Sequence, residues 1–176
     1  MYLVVSCSLN PVSRSRVLAE SAFELLHDRG REAALLDLRE TPLPLCDGEA
    51  CYGLDEVRQA GRIIREAEGI LVSTPIYNYD VNSVAKNLIE LTGQAWHDKV
   101  VGFLCAAGGR SSYMGVMSLA NSLMLDFRCI ILPRFVYVTD ESFLNGGLDP
   151  KVASRLAAVV DELIRVATAL KREEAT

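Results

Sequence analysis

The stretch Gly69-Ile70-Leu71-Val72-Ser73 decides the fold of this 176-residue chain. It is a short, uninterrupted apolar run, which is typical of a strand that is covered on both faces of a parallel sheet. On either side of it the chain alternates between such strands and longer segments with helical spacing. Five strands alternating with five helices predict an α/β fold with a doubly wound, five-stranded parallel sheet and helices on both faces. The predicted strands are 2–7, 32–38, 69–73, 99–106 and 129–138, and the predicted helices are 12–30, 55–68, 82–93, 111–127 and 149–172.

The composition indicates one globular domain, expected over residues 1–172, with 173–176 as a frayed tail. Hydrophobic residues make up 50% of the chain and charged residues 23%, which excludes disorder over most of its length. The net charge of −5 argues against a nucleic-acid partner, because such proteins present a basic surplus. No apolar run approaches the ~18 residues that span a bilayer, and the N-terminus lacks the features of a signal peptide. We therefore expect no membrane partner and a cytoplasmic location.

Three loops follow the carboxyl ends of the first, third and fourth predicted strands, where doubly wound folds bind their ligands. In the first loop, residues 8–16, amide N–H groups and the helix dipole attract anions, and hydroxyl and guanidinium groups donate to phosphate oxygens. This loop lacks glycine, which excludes both the GK[ST] phosphate loop and the GxGxxG dinucleotide fingerprint. The alternative is an ordinary helix start with Ser13 as its N-cap. The candidate phosphate contacts are Ser8, Asn10, Ser13, Arg14 and Ser15.

The other two loops have residue types that suit a flat aromatic ligand. The loop at 73–80 has flat tyrosine rings and backbone N–H groups that can face ring heteroatoms. The loop at 106–112 has paired glycines, which let the backbone approach a ligand closely. Packing of the tyrosines at a subunit contact and a plain turn at the glycines are the alternatives. The candidate ligand contacts in these loops are Pro75, Ile76, Tyr77, Asn78, Gly108, Gly109 and Arg110.

Together these residues resemble the NADPH-dependent FMN reductases of flavodoxin-like fold, and particularly their sulfonate-assimilation flavin reductase branch. The resemblance covers about residues 1–172. The family's phosphate loop, G-S-x-R-x-x-S, corresponds to Cys7-Ser8-Leu9-Asn10-Pro11-Val12-Ser13. Its T-P-x-Y-N motif with a following K-N corresponds to Thr74-Pro75-Ile76-Tyr77-Asn78 and Lys86-Asn87, and its glycine loop corresponds to Gly108-Gly109.

The resemblance implies a single flavodoxin-like FMN-binding domain that uses NADPH or NADH as co-substrate. It implies that Ser8, Ser13 and Ser15 hold the FMN phosphate, while the 75–78 backbone and the 108–109 loop frame the isoalloxazine ring. The implied reaction is hydride transfer from nicotinamide to FMN, and then to a small-molecule acceptor: free flavin, a quinone, an azo compound or a metal oxyanion. The implied partners are further copies of the chain, as a homodimer or homotetramer, and a flavin-dependent monooxygenase as one candidate.

The chain departs from the family pattern in the phosphate loop and after the second motif. Cys7 and Asn10 replace a glycine and an arginine, so the loop loses one positive charge. Either the phosphate is held less tightly, or Arg14 or Arg16 compensates. After Asn78 the family often has a serine and a Pro-Gly pair, which this chain lacks, and this leaves the ring-side contacts and the acceptor open.

The sequence predicts neither a catalytic side chain nor a metal site, because a flavin carries the hydride chemistry itself. It contains no GxSxG or HExxH motif, and Cys46 and Cys51 alone do not form a zinc site. Arg110 is the candidate contact for the phosphates of the nicotinamide cofactor. Two other classes stay open: a flavodoxin-type electron carrier without NAD(P)H activity, and a flavin-free structural homologue.

Two further expectations concern packing. The apolar surroundings of Cys7, Cys105 and Cys129 predict that these are small core residues. The predicted helix at 111–127 is rich in methionine and leucine, so it is either a subunit contact or a fully buried helix.

Overall fold

The structure, a computed structural model, describes residues 1–144 and 147–171. Its helices are α1 (Arg14–Asp28), α2 (Asp55–Glu66), α3 (Ser83–Thr92), α4 (Met117–Phe127) and α5 (Pro150–Leu170). Its strands are β1 (Tyr2–Ser6), β2 (Ala33–Asp37), β3 (Gly69–Tyr77), β4 (Asp80–Val81), β5 (Val100–Ala107), β6 (Ile130–Ile131), β7 (Val136–Val138), β8 (Phe143–Leu144) and β9 (Gly147–Leu148). Short 3₁₀ helices lie at Ala50–Gly53, Gly93–Trp96 and Asp140–Ser142.

The main sheet has the strand order β2-β1-β3-β5-β6, and β7 continues beside the far end of β5. These pairs are parallel, while β4 runs antiparallel to the end of β3. Counting β6 and β7 as one interrupted strand, this is the flavodoxin-like order 2-1-3-4-5. The predicted doubly wound parallel sheet is therefore confirmed, and its switch point lies between β1 and β3.

Helices cover both faces of the sheet, as predicted, because alternate residues of each buried strand point to opposite sides. On β1, Leu3 and Val5 join the core beneath α2, α3 and α4, with Ile64 and Leu119. On the other face of the sheet, α1 and α5 bury their apolar side chains, which recur at the helical period. The side chains buried there include Tyr2, Val4, Leu18, Leu26, Val159 and Leu163.

Several predicted boundaries differ from those in the structure. The predicted strand at 129–138 is wrong as a continuous strand, because it breaks between β6 and β7 around Pro133, which has no N–H to donate. The predicted helix at 111–127 begins only at Met117, after a run of turns. The third predicted strand extends to Tyr77, and the β8–β9 hairpin was not predicted.

Three smaller predictions concern the apolar cysteines, the C-terminal tail and membrane-spanning helices. Cys7, Cys105 and Cys129 are buried, which confirms them as core residues. The predicted tail at 173–176 lies outside the described residues. Within residues 1–144 and 147–171, no helix combines the length and the apolar character needed to cross a membrane.

Candidate functional site

The start of α1 lies at the carboxyl end of β1, and it carries the first group of candidate residues. Ser13 is the N-cap, and its Oγ accepts a hydrogen bond from the Arg16 amide at 3.2 Å. The same Oγ lies 2.9 Å from Oγ of Ser15. Ser8 and Ser15 are 2% and 1% exposed, so their hydroxyls line the base of the loop. The first-turn amides of a helix have no carbonyl partner within it, and they add N–H donors beside these hydroxyls.

Asn10 shapes this loop where the related family has an arginine. Its backbone N–H donates to Oγ of Ser8 at 3.3 Å, and its side-chain Oδ1 accepts from the Val12 backbone N–H at 2.9 Å. An asparagine that bonds to the backbone two residues on forms an Asx turn, which bends the chain without glycine. Asn10 therefore supplies curvature to the loop, and it supplies no charge.

The two arginines of the loop are both engaged by carboxylates. Arg16 Nε lies 3.0 Å from Glu20 Oε1 and 3.2 Å from Asp37 Oδ2. Arg14 pairs with Asp140, and its guanidinium carbon lies 5.9 Å from the centre of the Phe143 ring. The expectation that Arg16 compensates for the missing charge is therefore not supported, because its carboxylate partners neutralise it.

The second candidate loop is a tight hairpin turn between β3 and β4. Asn78 and Tyr79 have φ of 53° and 65°, which is the left-handed pair of a two-residue hairpin turn. This conformation is uncommon for tyrosine and is the kind of local strain that clusters at functional sites. The turn packs on Gly115, where an added Cβ would lie 2.8 Å from Ile76 Cγ2 and 3.0 Å from the Tyr79 backbone. The turn leaves the Tyr77 ring 52% exposed beside the sheet.

A buried polar network fixes the distance between the first and second loops. The side-chain Nδ2 of Asn82 donates to the carbonyl of Cys7 at 2.7 Å, and its Oδ1 accepts from Thr74 Oγ1 at 3.0 Å. Ser73 Oγ donates to the carbonyl of Ser15 at 2.6 Å. Sequence reasoning missed these positioning residues. The available signal was an asparagine at a helix N-cap, eight residues after the buried Ser73-Thr74 pair.

The third candidate loop follows β5 and is open. A Cβ added at Gly108 or Gly109 would meet nothing within 4 Å, and neither residue has a positive φ. The value of these glycines is therefore free space for a close approach rather than an unusual backbone conformation. Arg110 has a side chain that is 82% exposed and pairs with Glu141 at 2.5 Å.

A cleft of ≈ 240 Å³ joins the three loops. Of the predicted residues, Ile76, Asn78, Gly109 and Arg110 are outside its lining. Its donors suit a phosphate, and its apolar walls beside Tyr77 suit a flat ring, so the residues present fit FMN. Three lining residues, Val12, Ala106 and Ala107, were not predicted. The predicted residues that line the cleft are Ser8, Asn10, Ser13, Arg14, Ser15, Pro75, Tyr77 and Gly108.

The chain is similar to known flavin oxidoreductases. An NAD(P)H-dependent FAD/FMN reductase of Geobacillus thermodenitrificans is 28% identical over 142 residues, which are 78% of this chain and 76% of that protein. An NAD(P)H:quinone oxidoreductase of Solanum tuberosum is 29% identical over 176 residues, covering 93% and 91% of the two chains. A solved structure of an NADH:FMN oxidoreductase superposes with a TM-score of 0.81 at 18% identity, covering 98% and 91%. The family model of the NADPH-dependent FMN reductases matches residues 2–143, and the chain therefore belongs to that family of flavin oxidoreductases.

Proposed function

We propose that the cleft binds FMN, with its phosphate at the 8–15 loop and its ring between the 75–78 and 106–109 loops. The observation that carries this proposal is the convergence of a helix N-terminus, buried serine hydroxyls and the two ring-side loops in one cleft. NADPH or NADH is the electron donor, in keeping with the family.

The proposed roles of the loop residues follow from their donors. Ser8, Ser13 and Ser15 donate hydroxyl hydrogens to phosphate oxygens, together with the first-turn amides of α1. These donors are neutral, so they hold the phosphate by geometry and by the helix dipole more than by side-chain charge. Arg14 adds charge only when it exchanges its partner Asp140 for the phosphate.

When bound, FMN supplies the hydride chemistry, accepting two electrons from nicotinamide and passing them on. The chain positions and shields the reactants. Backbone N–H groups of the 76–78 segment are the proposed donors toward negative charge that builds on the ring. The half-exposed Tyr77 ring offers a flat surface for the nicotinamide or the acceptor. Contact of Arg110 with the nicotinamide cofactor requires that it first leave Glu141.

We propose free flavin or a quinone as the electron acceptor. Relatives named as a FAD/FMN reductase and as a quinone oxidoreductase support these two classes. An azo compound is a third proposed acceptor, since another relative is named as an NADPH azoreductase. Metal oxyanions stay a prediction. So do the sulfonate-assimilation branch and a monooxygenase partner, which both require that reduced flavin be released. Cytoplasmic location also stays a prediction.

We further propose that the chain forms a homodimer or homotetramer through α4. Met117, Met124 and Leu125 of that helix are 41%, 39% and 74% exposed, and Ile130 just after the helix is 44% exposed. Clustered apolar side chains of this kind favour a subunit contact over a solvated surface. Gel filtration at two concentrations tests the proposal, and a monomer at both would refute it.

The visible absorption spectrum tests the central proposal. FMN is added to the purified chain, the excess is removed, and NADPH is then added without oxygen. We expect retained flavin that bleaches with NADPH or NADH. Retained flavin that stays oxidised with both donors would point to an electron carrier. If no flavin is retained, turnover is measured with free FMN, and failure there would leave a flavin-free homologue.

A further inference from the structure

Cys46 and Cys51 lie side by side in the long connection between β2 and α2. Their sulfurs are 3.9 Å apart, with the thiol of Cys51 directed at the sulfur of Cys46. Cys46 is partly exposed, while Cys51 is only 2% exposed. A disulfide sets the sulfurs about 2.05 Å apart, so a small side-chain movement would join them.

Hydrogen bonds hold the backbone of both cysteines in place. The amide of Cys46 donates to Asn87 Oδ1 on α3 at 2.9 Å. The amide of Cys51 donates to Asp47 Oδ1 at 3.1 Å, and the Glu49 amide donates to the same oxygen at 2.9 Å. The pair is therefore a built arrangement rather than a chance meeting of two mobile side chains.

The two thiols have opposite electrostatic surroundings. The hydroxyl of Tyr52, 3.5 Å from Sγ of Cys46, and a backbone N–H of Gly48 lower the pKa of Cys46. Burial and the neighbouring Asp47 raise the pKa of the Cys51 thiol. The more accessible sulfur is thus the better nucleophile, and the buried one can resolve an intermediate formed on it.

The other cysteines have neither access nor a partner of this kind. Burial raises the pKa of Cys105 to about 12 and that of Cys129 to about 11, and it raises the pKa of the fully buried Cys7 further. Thiols in such surroundings react slowly with oxidants. Cysteine oxidation in the folded chain should therefore be confined to Cys46 and Cys51.

We propose that Cys46 and Cys51 are a peroxide-sensitive dithiol that closes into an intrachain disulfide. The Cys46 thiolate attacks one oxygen of hydrogen peroxide, forms the sulfenic acid and releases hydroxide. The Cys51 sulfur then attacks the Cys46 sulfur, and the departing hydroxyl leaves as water with the Cys51 proton. In sum, two thiols and one peroxide give one disulfide and two water molecules.

The disulfide would act on a wall of a pocket beside the phosphate loop. Leu43 and Leu45, just before Cys46, line an apolar pocket of ≈ 220 Å³ together with Leu9 of that loop. In the dithiol form this wall is held to α3 by Asn87, whose Nδ2 also donates to the carbonyl of Pro44 at 2.8 Å. Oxidation adds a covalent link to the 3₁₀ helix at Ala50–Gly53, so the wall becomes less mobile.

Peptide mapping of the whole folded protein tests the proposal. Cleavage after Arg39 and Arg58 releases peptide 40–58, which contains Cys46 and Cys51 and no other cysteine. After peroxide treatment and alkylation under denaturing conditions, we expect this peptide to lose about 2 Da and to take no alkyl group. A reductant should restore two alkylation sites. Amide exchange of segment 42–46 should also be slower in the oxidised protein than in the reduced protein.

Two variants supply the controls. In Cys51→Ser we expect a sulfenic acid on Cys46 that dimedone traps, and no disulfide. In Cys46→Ser the remaining thiol should react about tenfold more slowly than Cys46 does, since it is buried. The proposal is overturned if wild-type peptide 40–58 keeps two free thiols at the peroxide dose that oxidises the Cys51→Ser variant. Failure of that variant to react, or a disulfide between two chains, overturns it equally.

Discussion

Replacing Ser13 by alanine and by aspartate separates its capping role from its proposed phosphate role. Its Oγ caps α1 through the Arg16 amide at 3.2 Å and lies 2.9 Å from Oγ of Ser15. Ser13→Ala removes both functions. Ser13→Asp keeps the cap, since aspartate is as good an N-cap as serine, but sets a negative charge where we place the phosphate.

The two variants should rank in opposite order for loss of stability and loss of FMN affinity. Ser13→Ala should lower the free energy of unfolding by about 1 kcal/mol through loss of the cap. It also loses one hydrogen bond to a charged group, worth about 1.5–3 kcal/mol, which weakens FMN binding roughly 10- to 100-fold. Ser13→Asp should leave the free energy of unfolding near that of wild type. Two like charges about 4 Å apart repel by about 4 kcal/mol near a protein surface, which weakens FMN binding about a thousandfold.

Urea unfolding of the flavin-free protein and titration of flavin fluorescence measure the two quantities. Ser154→Asp, at an exposed position on α5, controls for the added charge and should change neither. Wild-type FMN affinity in Ser13→Asp would refute the placement of the phosphate at this helix start. Equal destabilisation by alanine and aspartate would refute the capping role.

Three further predictions concern stability. Asn82→Asp removes the donor to a buried carbonyl 2.7 Å away and should lower the free energy of unfolding by about 3 kcal/mol in urea titrations. Gly115→Ala places a Cβ 2.8 Å from a β3 side chain. In thermal melts it should lower the free energy of unfolding by about 1–3 kcal/mol, and it should also weaken FMN binding. Gly53→Ala, with open space around the added Cβ, should preserve stability. The arginine partner of Asp161 lowers the pKa of that carboxyl below its unfolded value, so the pair stabilises the fold above about pH 4 and is lost as pH falls through the folded pKa. At pH 7 the free energy of unfolding of wild type should therefore exceed that of Asp161→Asn by less than about 1 kcal/mol. The difference should shrink as the pH falls below about 4.

The parallel sheet with helices on both faces was predictable because each central strand is an apolar run that needs cover on both sides. The segment 129–138 shows the limit of this reasoning. Its apolar content resembles one strand, but hydrogen bonding to β5 fails around Pro133, and composition carries no information about pairing with a particular neighbour. The β8–β9 hairpin was missed because strands of two residues are too short to show an apolar period.

At the site, residue types were easier to predict than their partners. Ser13 could be placed at a helix start from the local sequence alone. The carboxylate partner of Arg14 is Asp140, 126 residues further along the chain. The partner of Arg110 is Glu141, some 30 residues further along. Such pairs depend on the tertiary fold, so the sequence suggested free guanidinium groups where the structure has ion pairs. The hydrogen bonds of Asn82 to Cys7 and Thr74 also depend on the tertiary fold, and only its place at a helix N-cap could be predicted locally.

These ion pairs bear on how firmly FMN is held. The loop has Asn10 where the resemblance leads us to expect an arginine, Arg16 is bound by carboxylates, and Arg14 is paired with Asp140. The attraction for a phosphate therefore comes mainly from hydroxyls, amides and the dipole of α1, which are neutral or only partially charged donors. Each such bond to the charged phosphate contributes about 1.5–3 kcal/mol, but the further Coulombic attraction of a full positive charge is offset by the carboxylate partners of the two arginines. This balance favours an FMN that exchanges with solution over one that stays bound through many turnovers.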